Sequence, residues 1–570
     1  MKISKLFPFA CVALMMSACA SDKEEIGSGT KPGSDPQYLA VNIVNVGATP
    51  TTRTTDYENG TAGESAIKKV RFYFFNGDGS PYLIKTGIDG GGDKNWLEAS
   101  PADDTPTSGT PSQIEKITQT VLVINGIQSA APAAIVAIVN PETVDAATLK
   151  NGGTMRLSEL RYSAVGRNFY KKDADNGAVS EFVMSNSVYV NAGEDVCASL
   201  VAGHVTTSAE TAKAKPVDLY VERVVAKVTA DVKNSAFELG NGTNWETNKY
   251  GTKDPVGKSG DYDVYAVIEG WGLANENGKA EVEKQVNKTW TDGTLGFTPW
   301  TTADYHRCFW ETSVAFDAGS GGNQPVNPTF NQLKAKMQDV LYTLPNTPDS
   351  KDKIANLKDN DLTKFAVAAT LRYKDASNNW HNAEICRYNG VSILGIDNLK
   401  RQVALTYSQY YTSTDATNYT QLSKDDIDFK DPDGTMQQYR VTPTLADAPA
   451  GTKYYTKSTT GTTPTFTEVP KAKVLAAIES DKAEIRRDGR AYYYVPIKHI
   501  GGPGELAEYG IVRNHFYKIT LTGIKGFGTP VYDPDKVVDP IVPTYGNTYL
   551  AARVQVLQWR VVNQNASLGN

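Results

Sequence analysis

The sequence predicts a mostly-β protein. Its 570 residues include 30 tyrosines and 48 glycines, and threonine and valine are also abundant. Tyr, Thr and Val are residues that fit a pleated, half-buried strand. Short apolar runs alternate along the chain with turn residues, which is typical of many short strands. Only a few segments have helical spacing, so helices should be few and short.

The strand candidates are apolar or alternating runs bounded by turn residues. They fall at residues 70–75, 120–124, 135–139, 182–188, 217–232, 263–269, 365–373, 491–497 and 516–521. The Asp488-Gly489 pair predicts a hairpin that joins 482–486 to 491–497, because Asp-Gly favours a two-residue turn.

Two segments, 330–341 and 470–480, predict helices from the spacing of their apolar residues. Core packing explains both better than a binding surface does. A small, polar stretch at 208–216 precedes the long strand candidate 217–232, so a domain boundary is expected just before or within that strand.

The N-terminus predicts a lipoprotein signal peptide. Lys2 and Lys5 give it a positive start, and residues 6–16 form an apolar run too short to span a bilayer. Small residues then precede Cys19, which predicts lipidation of that cysteine. The alternative is a plain signal peptide with an incidental cysteine. The polar residues from 20 to about 36 predict a disordered tether.

Charge and cysteine content exclude several classes of protein. The formal net charge of −6 argues against nucleic acid as a partner. Beyond Cys11 and Cys19, the remaining cysteines are Cys197, Cys308 and Cys386. They are widely spaced and odd in number, so they predict small buried hydrophobes rather than a disulfide framework or a zinc site.

No local motif predicts catalysis. The sequence has no GxSxG, HExxH or Walker loop, and none of its five histidines lies within five residues of another. The acidic residues 425–433 before Gly434 do not have the spacing of a calcium loop. The prediction is a protein that is not an enzyme, with no catalytic residue, no metal and no cofactor.

Two segments at opposite ends share an unusual pattern. Each begins as an alternating strand, and then its apolar positions change parity by one residue. A parity change indicates a bulge or a strand that passes from one sheet surface to another. The positions concerned are Leu39, Val41, Ile43, then Val44 and Val46, and Val554, Val556, then Leu557, Trp559 and Val561.

A short polar loop follows the first of these segments. Residues 47–55 contain one arginine, Arg53, and exposed tips of this kind are preferred protease sites. Cleavage between Arg53 and Thr54 would detach the strand 39–46 and leave an apolar groove flanked by unpaired edges. The C-terminal strand of another subunit could fill that groove, and such a head-to-tail contact generates a filament. The alternative is that both segments are ordinary edge strands of one molecule.

Several blocks resemble the Mfa-type fimbrillins, the shaft subunits of type V pili. The segment EYGIVRNHFYKITLTGIKGFGTPV, residues 508–531, resembles their signature, and Arg513-Asn514-His515 followed by Tyr517 is its most specific part. The segment VERVVAKVTADV, residues 221–232, resembles their boundary motif. The end that contains Trp559 resembles their terminal strand.

That resemblance implies two β-sandwich domains of transthyretin-like topology in tandem. The expected divisions are a signal peptide with the lipidated Cys (1–19), a propeptide with the removable strand (20–53), an N-terminal domain (54–220), a C-terminal domain (221–545) and a donor strand (546–570). The resemblance also implies lipoprotein export, cleavage after Arg53 by an arginine-specific protease, and a fimbrium at the cell surface. The implied partners are copies of the chain itself, anchor and tip subunits, the protease and the export machinery.

Three alternatives stay open at this stage. A pilus tip adhesin could share the same fold. A surface glycan-binding lipoprotein would keep Cys19 and present an aromatic platform. Its candidate residues are Trp271, Trp290, Trp300, Trp310 and Trp380. A hydrolase would need a site assembled from distant residues, and the sequence gives that reading little support.

Overall fold

The computed structural model describes most of the chain between residues 37 and 563. The described residues are 37–46, 58, 60–84, 94–100, 102–104, 114–124, 131–143, 149, 153–173, 177–232, 236–240, 264–303, 306–316, 322–350, 362–375, 377–432, 440–459, 463–538, 549–558 and 562–563. They form a mostly-β protein, as predicted. Among them, no helix is long and apolar enough to cross a membrane.

The first part of the chain builds one large mixed sheet. Its elements are β1 (Gln37–Val46), β2 (Val70–Phe75), β3 (Trp96–Ala99), β4 (Ala102–Asp104), β5 (Ile114–Ile124), β6 (Ala134–Val139), α1 (Leu157–Arg161), β7 (Ala164–Val165), β8 (Lys171–Lys172), β9 (Val179–Ser180), β10 (Met184–Asn186), β11 (Tyr189–Asn191), β12 (Glu194–Val196), β13 (Ser199–Leu200), α2 (Ala209–Ala214) and β14 (Val217–Arg223). The sheet has the order β3-β2-β6-β10-β14-β1-β5-β4, and β13 pairs with β6.

Every residue of β2 and of β6 is buried. The apolar run of β6, and that of β2 apart from Arg71, are the pattern of strands that are covered on both faces. They belong to the first hydrophobic core, which also takes in residues from β1, β5 and β14. The segment 182–188, predicted as one strand, contains only the three-residue β10.

The second part begins with strands that belong to two new sheets. Its elements up to residue 382 are β15 (Ala226–Val232), β16 (Ala236–Gly240), β17 (Val264–Ala274), β18 (Ala280–Glu281), α3 (Asp292–Leu295), β19 (Thr301–Thr302), β20 (Arg307–Cys308), β21 (Val340–Thr343), β22 (Lys364–Lys374) and β23 (Trp380–Asn382). The single strand predicted at 217–232 is therefore two strands, β14 in the first sheet and β15 in the next.

Residues 384–486 form an inserted module with its own core. Its elements are β24 (Ile385–Tyr388), β25 (Val391–Leu394), α4 (Ile396–Thr406), β26 (Tyr410–Ser413), β27 (Thr420–Gln421), β28 (Ile427–Lys430), β29 (Arg440–Leu445), β30 (Lys453–Ser458), β31 (Thr465–Val469), α5 (Lys471–Glu479) and β32 (Ala483–Ile485). Leu399 and Val403 of α4 and Val474 and Ile478 of α5 face this core, one helical turn apart in each helix.

The chain then returns to the second part and completes its two sheets. The last elements are β33 (Arg490–Pro496), β34 (His515–Lys525), β35 (Thr529–Pro530), β36 (Tyr549–Gln558) and β37 (Val562–Asn563). One sheet has the order β21-β15-β34-β36-β37 and the other β16-β17-β22-β33-β35. Their facing side chains, such as Tyr517 and Ile519 against Phe365 and Val367, share one core. This is a β-sandwich.

The first and second parts are joined by more than the chain itself. Residues 280–285 lie in the second part of the sequence, yet Ala280 and Val282 belong to the first core. Strand β18 pairs with β7, and the backbone N–H of Val282 donates to the carbonyl oxygen of Ser163 at 2.7 Å. The two parts therefore share a strand-like clasp at residues 280–285.

The predicted hairpin around Asp488-Gly489 is wrong. Strand β32 pairs with β24 and β29, whereas β33 pairs with β22 and β35. Asp488 and Gly489 have φ of 56° and 79°. The turn is real, but it connects the inserted module to the sandwich instead of joining two neighbouring strands.

One of the two predicted helices is also wrong. Residues 330–341 contain only the short 3-10 turn Phe330–Gln332 before β21 begins at Val340. Leu333 is buried because it packs over β17, where Gly270 and Gly272 leave room for it. Leu333 is thus a core residue without a helix, whereas Val340, at the same helical spacing, is exposed. The other predicted helix, 470–480, is confirmed as α5.

Candidate functional site

Strand β1 lies inside the first sheet rather than at its edge. It runs parallel to β14, with Val41 opposite Val217 and Ile43 opposite Leu219. On its other side it runs antiparallel to β5, where Val41 is opposite Thr120. Both backbone edges of β1 are therefore engaged, and the alternative that β1 is an edge strand does not hold.

The side chains of β1 reach the first core where the structure describes them. Leu39 and Val41 are fully buried in it. Ala40, on the opposite face, is also fully buried, and helix α2 packs beside this strand. The register against β5 shifts between Asn45 and Val46, where Glu115 of β5 is the extra residue, so the irregularity lies in β5 and not at the parity change of β1. Ile43, Val44 and Val46 occupy the strand as predicted.

Strand β36 holds three of the five predicted donor residues. It pairs antiparallel with β34, with Val554 opposite Ile519, Val556 opposite Tyr517 and Leu557 opposite Phe516. Among the described residues, its other side meets the two-residue β37. Trp559 and Val561 lie outside the described residues.

The register shift in this pair does not coincide with the parity change of β36. It lies between Leu521 and Gly523 of β34, opposite Ala551 and Ala552, whereas the parity change falls at Val556 and Leu557. The strand ends one residue after that change, at Gln558. The residues directly after Gln558 lie outside the described residues, so the predicted bulge at the parity change stays a prediction.

A buried ion pair fixes the start of β34. The Arg513 guanidinium donates from Nε to Glu311 Oε2 at 2.8 Å, and the Arg513 backbone N–H donates to Glu311 Oε1 at 2.7 Å. Both side chains are excluded from solvent. The guanidinium also donates to the carbonyl oxygens of Val282 and Glu281 in the clasp. The arginine of the signature thus ties β34 to the junction between the two parts.

Two of the signature residues precede the strand instead of lying in it. Strand β34 begins at His515, and Asn514 has a φ of 55°, a left-handed conformation that asparagine tolerates better than most residues. Arg513 and Asn514 form the turn that starts the strand.

The histidines near this turn are buried packing residues. His515 is fully buried, and its Nδ1 lies 2.8 Å from the carbonyl oxygen of Arg513. Burial lowers the pKa of His515 well below its ordinary value, and nearby His499 and Arg307 lower it further. His499 bridges the Tyr517 hydroxyl and the Phe309 carbonyl oxygen, at 2.8 Å each. A neutral, enclosed imidazole of this kind is suited to packing and not to proton transfer with a substrate.

The segment that follows the predicted cleavage site is anchored to both parts. Glu64 is fully buried, and its carboxylate lies 2.9 Å from Lys227 Nζ and accepts a hydrogen bond from the Tyr342 hydroxyl. Its carbonyl oxygen accepts from Arg223 Nε at 2.7 Å. Burial would raise the pKa of Glu64, but Lys227, Tyr342 and Arg223 together lower it. Glu64 therefore remains a carboxylate and links β14 to β15 and β21.

The remaining predicted site residues have different outcomes. Cys19, Arg53 and Thr54 lie outside the described residues, so lipidation and cleavage stay predictions. Among the tryptophans of the glycan alternative, Trp271, Trp300 and Trp310 are core residues, so they do not form a surface platform. Within the described part of the chain, no group of three or more His, Cys, Asp or Glu residues is placed to hold a metal ion.

Sequence reasoning missed the buried carboxylates that organise this region. Glu64, Glu283 and Glu311 are all fully excluded from solvent. Nothing local distinguishes them from the other acidic residues of the chain. The one available signal was the pair Arg223 and Lys227 in the boundary motif, because two cations in otherwise apolar strands require buried partners.

The arrangement defines a mostly-β protein with one strand seated between two others and a C-terminal strand close to a sheet edge. Residues 486–565 match the family model described as major fimbrial subunit protein type IV, fimbrillin, C-terminal. This match covers β33 to β37, including the signature turn and β36. It confirms the resemblance to the fimbrillins over this C-terminal part of the chain.

Solved structures give weaker likenesses. A fimbrilin (fimA) from Porphyromonas gingivalis W83 is 12% identical, with 92% of this chain and 99% of that chain covered and a TM-score of 0.36. A fimbrial assembly protein from Parabacteroides distasonis ATCC 8503 is 8% identical, with 93% and 100% covered and a TM-score of 0.27. The tip fimbrial protein Mfa3 from Porphyromonas gingivalis is 10% identical, with 92% and 100% covered and a TM-score of 0.29. These scores are too low to carry an argument. No curated protein matches the sequence significantly.

Proposed function

We propose that this chain is a shaft subunit of a pilus that polymerises by strand exchange. The precursor is exported as a lipoprotein anchored at Cys19. Cleavage after Arg53 by an arginine-specific protease at the outer membrane removes residues 20–53, which include β1. The C-terminal strand of another copy then occupies the position of β1 between β14 and β5. The mature fimbrium adheres through its assembled subunits.

The position of β1 is the observation that carries this proposal. Its removal would leave the facing edges of β14 and β5 without a partner and would expose the core that Leu39 and Val41 fill. Unpaired edges and an apolar groove favour the addition of a strand, because main-chain hydrogen bonds supply affinity and the side-chain pockets supply register.

Strand β1 is joined to the rest of the protein through residues 47–57, which contain Arg53. The residues that follow bind the folded protein without β1. Lys518 Nζ donates to Glu58 Oε2 at 2.7 Å, and Glu64 is bonded to Arg223 and Lys227. A cut after Arg53 would therefore release β1 while the new N-terminal segment stays attached to the folded protein.

The shared parity change suggests a register for the incoming strand. If the donor follows the direction of β1, Val556 takes the place of Ile43 and Leu557 that of Val44. Val554 then takes the place of Val41, opposite Thr120 of β5. This register directs Val554 and Val556 to the core face and turns Leu557 to the other face, as in β1.

Variants at Arg53 test the cleavage step. Arg53→Ala should leave lipidated precursor at the cell surface and no filaments. Arg53→Lys separates two kinds of protease, because a trypsin-like enzyme would still cut it and an arginine-specific enzyme would not. N-terminal sequencing of protein sheared from the cells should give Thr54. Normal filaments from the Arg53→Ala variant would overturn this step.

Deletion of residues 549–570 tests the donation step. The variant should be processed after Arg53 but remain monomeric, because its groove has no strand from a neighbour to fill it. Deletion of residues 564–570 alone, which spares β36 and β37, is the matched control and should retain assembly. Filaments of normal length from the larger deletion would contradict donation from this end.

The same proposal sets the division of the chain and its partners. The mature subunit starts at Thr54, its N-terminal domain ends near residue 220, its C-terminal domain runs to about 545, and 546–570 is the donor segment. A chain with both a removable strand and a donor strand fits the shaft, where each subunit accepts and donates. Anchor and tip subunits, the lipoprotein export machinery and the protease are its other partners.

A further inference from the structure

An open cleft of about 530 Å³ lies on the first part of the protein. The hairpin of β11 and β12 and the following residues 197–200 form one side, and residues 216–220, at the start of β14, form the other. Its volume falls in the range of small-ligand pockets, about 300–1,000 Å³.

The alternation of β14 separates the core from the cleft. Val217, Leu219 and Val221 are buried in the first core. Asp218 and Tyr220, on the other face, line the cleft. The Tyr220 ring stacks on His306 at 3.7 Å between centroids and 15° between planes, and the Tyr189 ring meets His306 edge-on. His306 therefore holds two tyrosine rings in fixed orientations at this cleft.

The cleft also contains an unsatisfied hydroxyl. Ser187 is 4% exposed and lines the cleft, and its Oγ has no hydrogen-bond partner among the described residues. The Oγ is enclosed, so a ligand reaches it only when the serine side chain rotates toward the cleft. Because a buried hydroxyl without a partner is destabilising, a ligand that completes its hydrogen bond is favoured. Asn191 and Ser199 add an amide and a second hydroxyl to the lining.

We propose that this cleft binds a neutral pyranose sugar. A pyranose offers an apolar C–H face to a tyrosine ring and hydroxyls at its rim to the Ser, Asn and Asp side chains. The carboxylate of Asp218 accepts sugar hydroxyls and disfavours anionic ligands. Exposed Leu200, at the rim, provides apolar surface for the same ligand.

The groups in the cleft are suited to binding rather than to turnover. Burial raises the pKa of the Cys197 thiol to about 12, so it is not a thiolate at neutral pH. Burial, Asp218 and Tyr189 raise the pKa of Tyr220 to about 12, so its hydroxyl remains a donor. The Nδ1 atom of His204 lies 3.0 Å from the Lys215 carbonyl oxygen.

Saturation-transfer difference NMR on the full-length chain tests the site. The probes are the methyl glycosides of glucose, galactose, mannose, N-acetylglucosamine and fucose, with N-acetyl-lysine methylamide as a cationic rival. At least one glycoside should receive saturation at millimolar concentration. Ser187→Ala and Asp218→Asn should each weaken its binding about tenfold, which is about 1.4 kcal/mol. Trp380→Ala is the control, because Trp380 is an exposed aromatic that does not line this cleft.

The sugar assignment would be overturned by any of three results. These are no saturation of any glycoside, stronger saturation of the lysine derivative, or glycoside binding that survives both cleft variants. The cleft variants leave Arg53 and residues 549–570 intact, so filament assembly is scored separately. Normal filaments without sugar binding would reject the cleft and spare the proposed polymerisation, and the reverse result would do the opposite.

Discussion

Strands β1 and β36 have similar apolar patterns but occupy different positions in their sheets. We call these positions the β1 seat and the β36 seat. Strand β1 is paired along both edges, to β14 and to β5, and its described core-facing side chains are buried. In the part of the chain that the structure describes, β36 is paired along its length to β34, and on its other side it meets two residues of β37. One strand is central to its sheet and the other is next to its edge.

The difference indicates a direction for strand exchange. A strand that leaves the β36 seat gives up one long ladder of hydrogen bonds, whereas a strand that enters the β1 seat gains two. Each backbone hydrogen bond contributes about 0.5–1.5 kcal/mol net. Transfer of the C-terminal strand to a vacant β1 seat should therefore be favourable, and the intact precursor should resist it because β1 occupies that seat.

The largest expected effect on stability comes from the Arg513–Glu311 ion pair at the start of β34, the strand that pairs with β36. Arg513→Leu should destabilise the protein by about 3–5 kcal/mol, because it leaves the Glu311 carboxylate buried without its cation. Urea unfolding of the precursor measures this. The double variant Arg513→Leu with Glu311→Leu should recover much of the loss. Equal instability of the single and double variants would show that the stranded charge is not the cause.

The next effect should be confined to the β1 seat. Leu39→Ala should lower the free energy of unfolding of the precursor by about 2–4 kcal/mol, the usual cost of truncating a buried leucine. Val123→Ala on neighbouring β5 is the matched control, since Val123 is 48% exposed and should cost less than about 0.5 kcal/mol. Because Leu39 is absent after cleavage, assembled filaments should be unaffected. Filaments destabilised by Leu39→Ala would show that β1 stays in the mature subunit.

The clasp at residues 280–285, which joins the first and second parts, should make the free energy of unfolding depend on pH through Glu283. This carboxyl is fully buried, and neither oxygen has a hydrogen-bond partner among the described residues. Burial raises its pKa from 4.5 to about 8, although Arg161 opposes the shift. In the unfolded chain the group ionises near its ordinary pKa, so stability should fall as the pH rises from about 4.5 to about 8.

Glu283→Gln removes that titration. The variant should be more stable than the parent by about 1–3 kcal/mol at pH 8 and nearly equal to it near pH 4. Urea midpoints at several pH values measure the difference. An unchanged pH slope in the variant would mean that Glu283 does not titrate between these values. A single transition for both parts would show that the clasp unfolds them together.

The smallest effect concerns the exposed pair of Lys518 on β34 and Glu58. Both side chains are more than a third exposed, so solvent screens the interaction. Lys518→Ala should cost less than about 1 kcal/mol, and the cost should shrink further at high salt. Lys536→Ala offers a comparison at a lysine outside the strands. A loss of several kcal/mol would mean that the segment after Arg53 contributes more to β34 than one surface ion pair.

The sequence predicts the bounds of a strand best where the residues of that strand alone determine its structure. Val70–Phe75 is the predicted strand at its predicted bounds, because a mostly apolar run bounded by a turn is sufficient to identify a buried strand. That information is local. The parity change in residues 39–46 predicted a bulge in that strand, whereas the extra residue of the nearby irregularity, Glu115, lies in β5.

The predictions failed where contacts with residues distant in sequence determine which strands pair and which core a segment joins. The turn at Asp488-Gly489 was identified, but its neighbours pair with β22, β24 and β29 instead of each other. Residues 280–285 lie in the second part of the sequence, yet Ala280 and Val282 pack in the first core. The inserted module was not identified either, because nothing in its local pattern says that its apolar residues face a separate core.

A cysteine cross-link between subunits tests strand exchange most directly. In sheared filaments, Thr120→Cys with Val554→Cys should give a ladder of disulfide-linked oligomers, because the proposed register places residue 554 where Val41 faces Thr120. Gln119→Cys with Val554→Cys is one residue out of register and should give far less. The same pair with Arg53→Ala should remain monomeric. Filaments that form without any link from 554 to β5 would contradict the account.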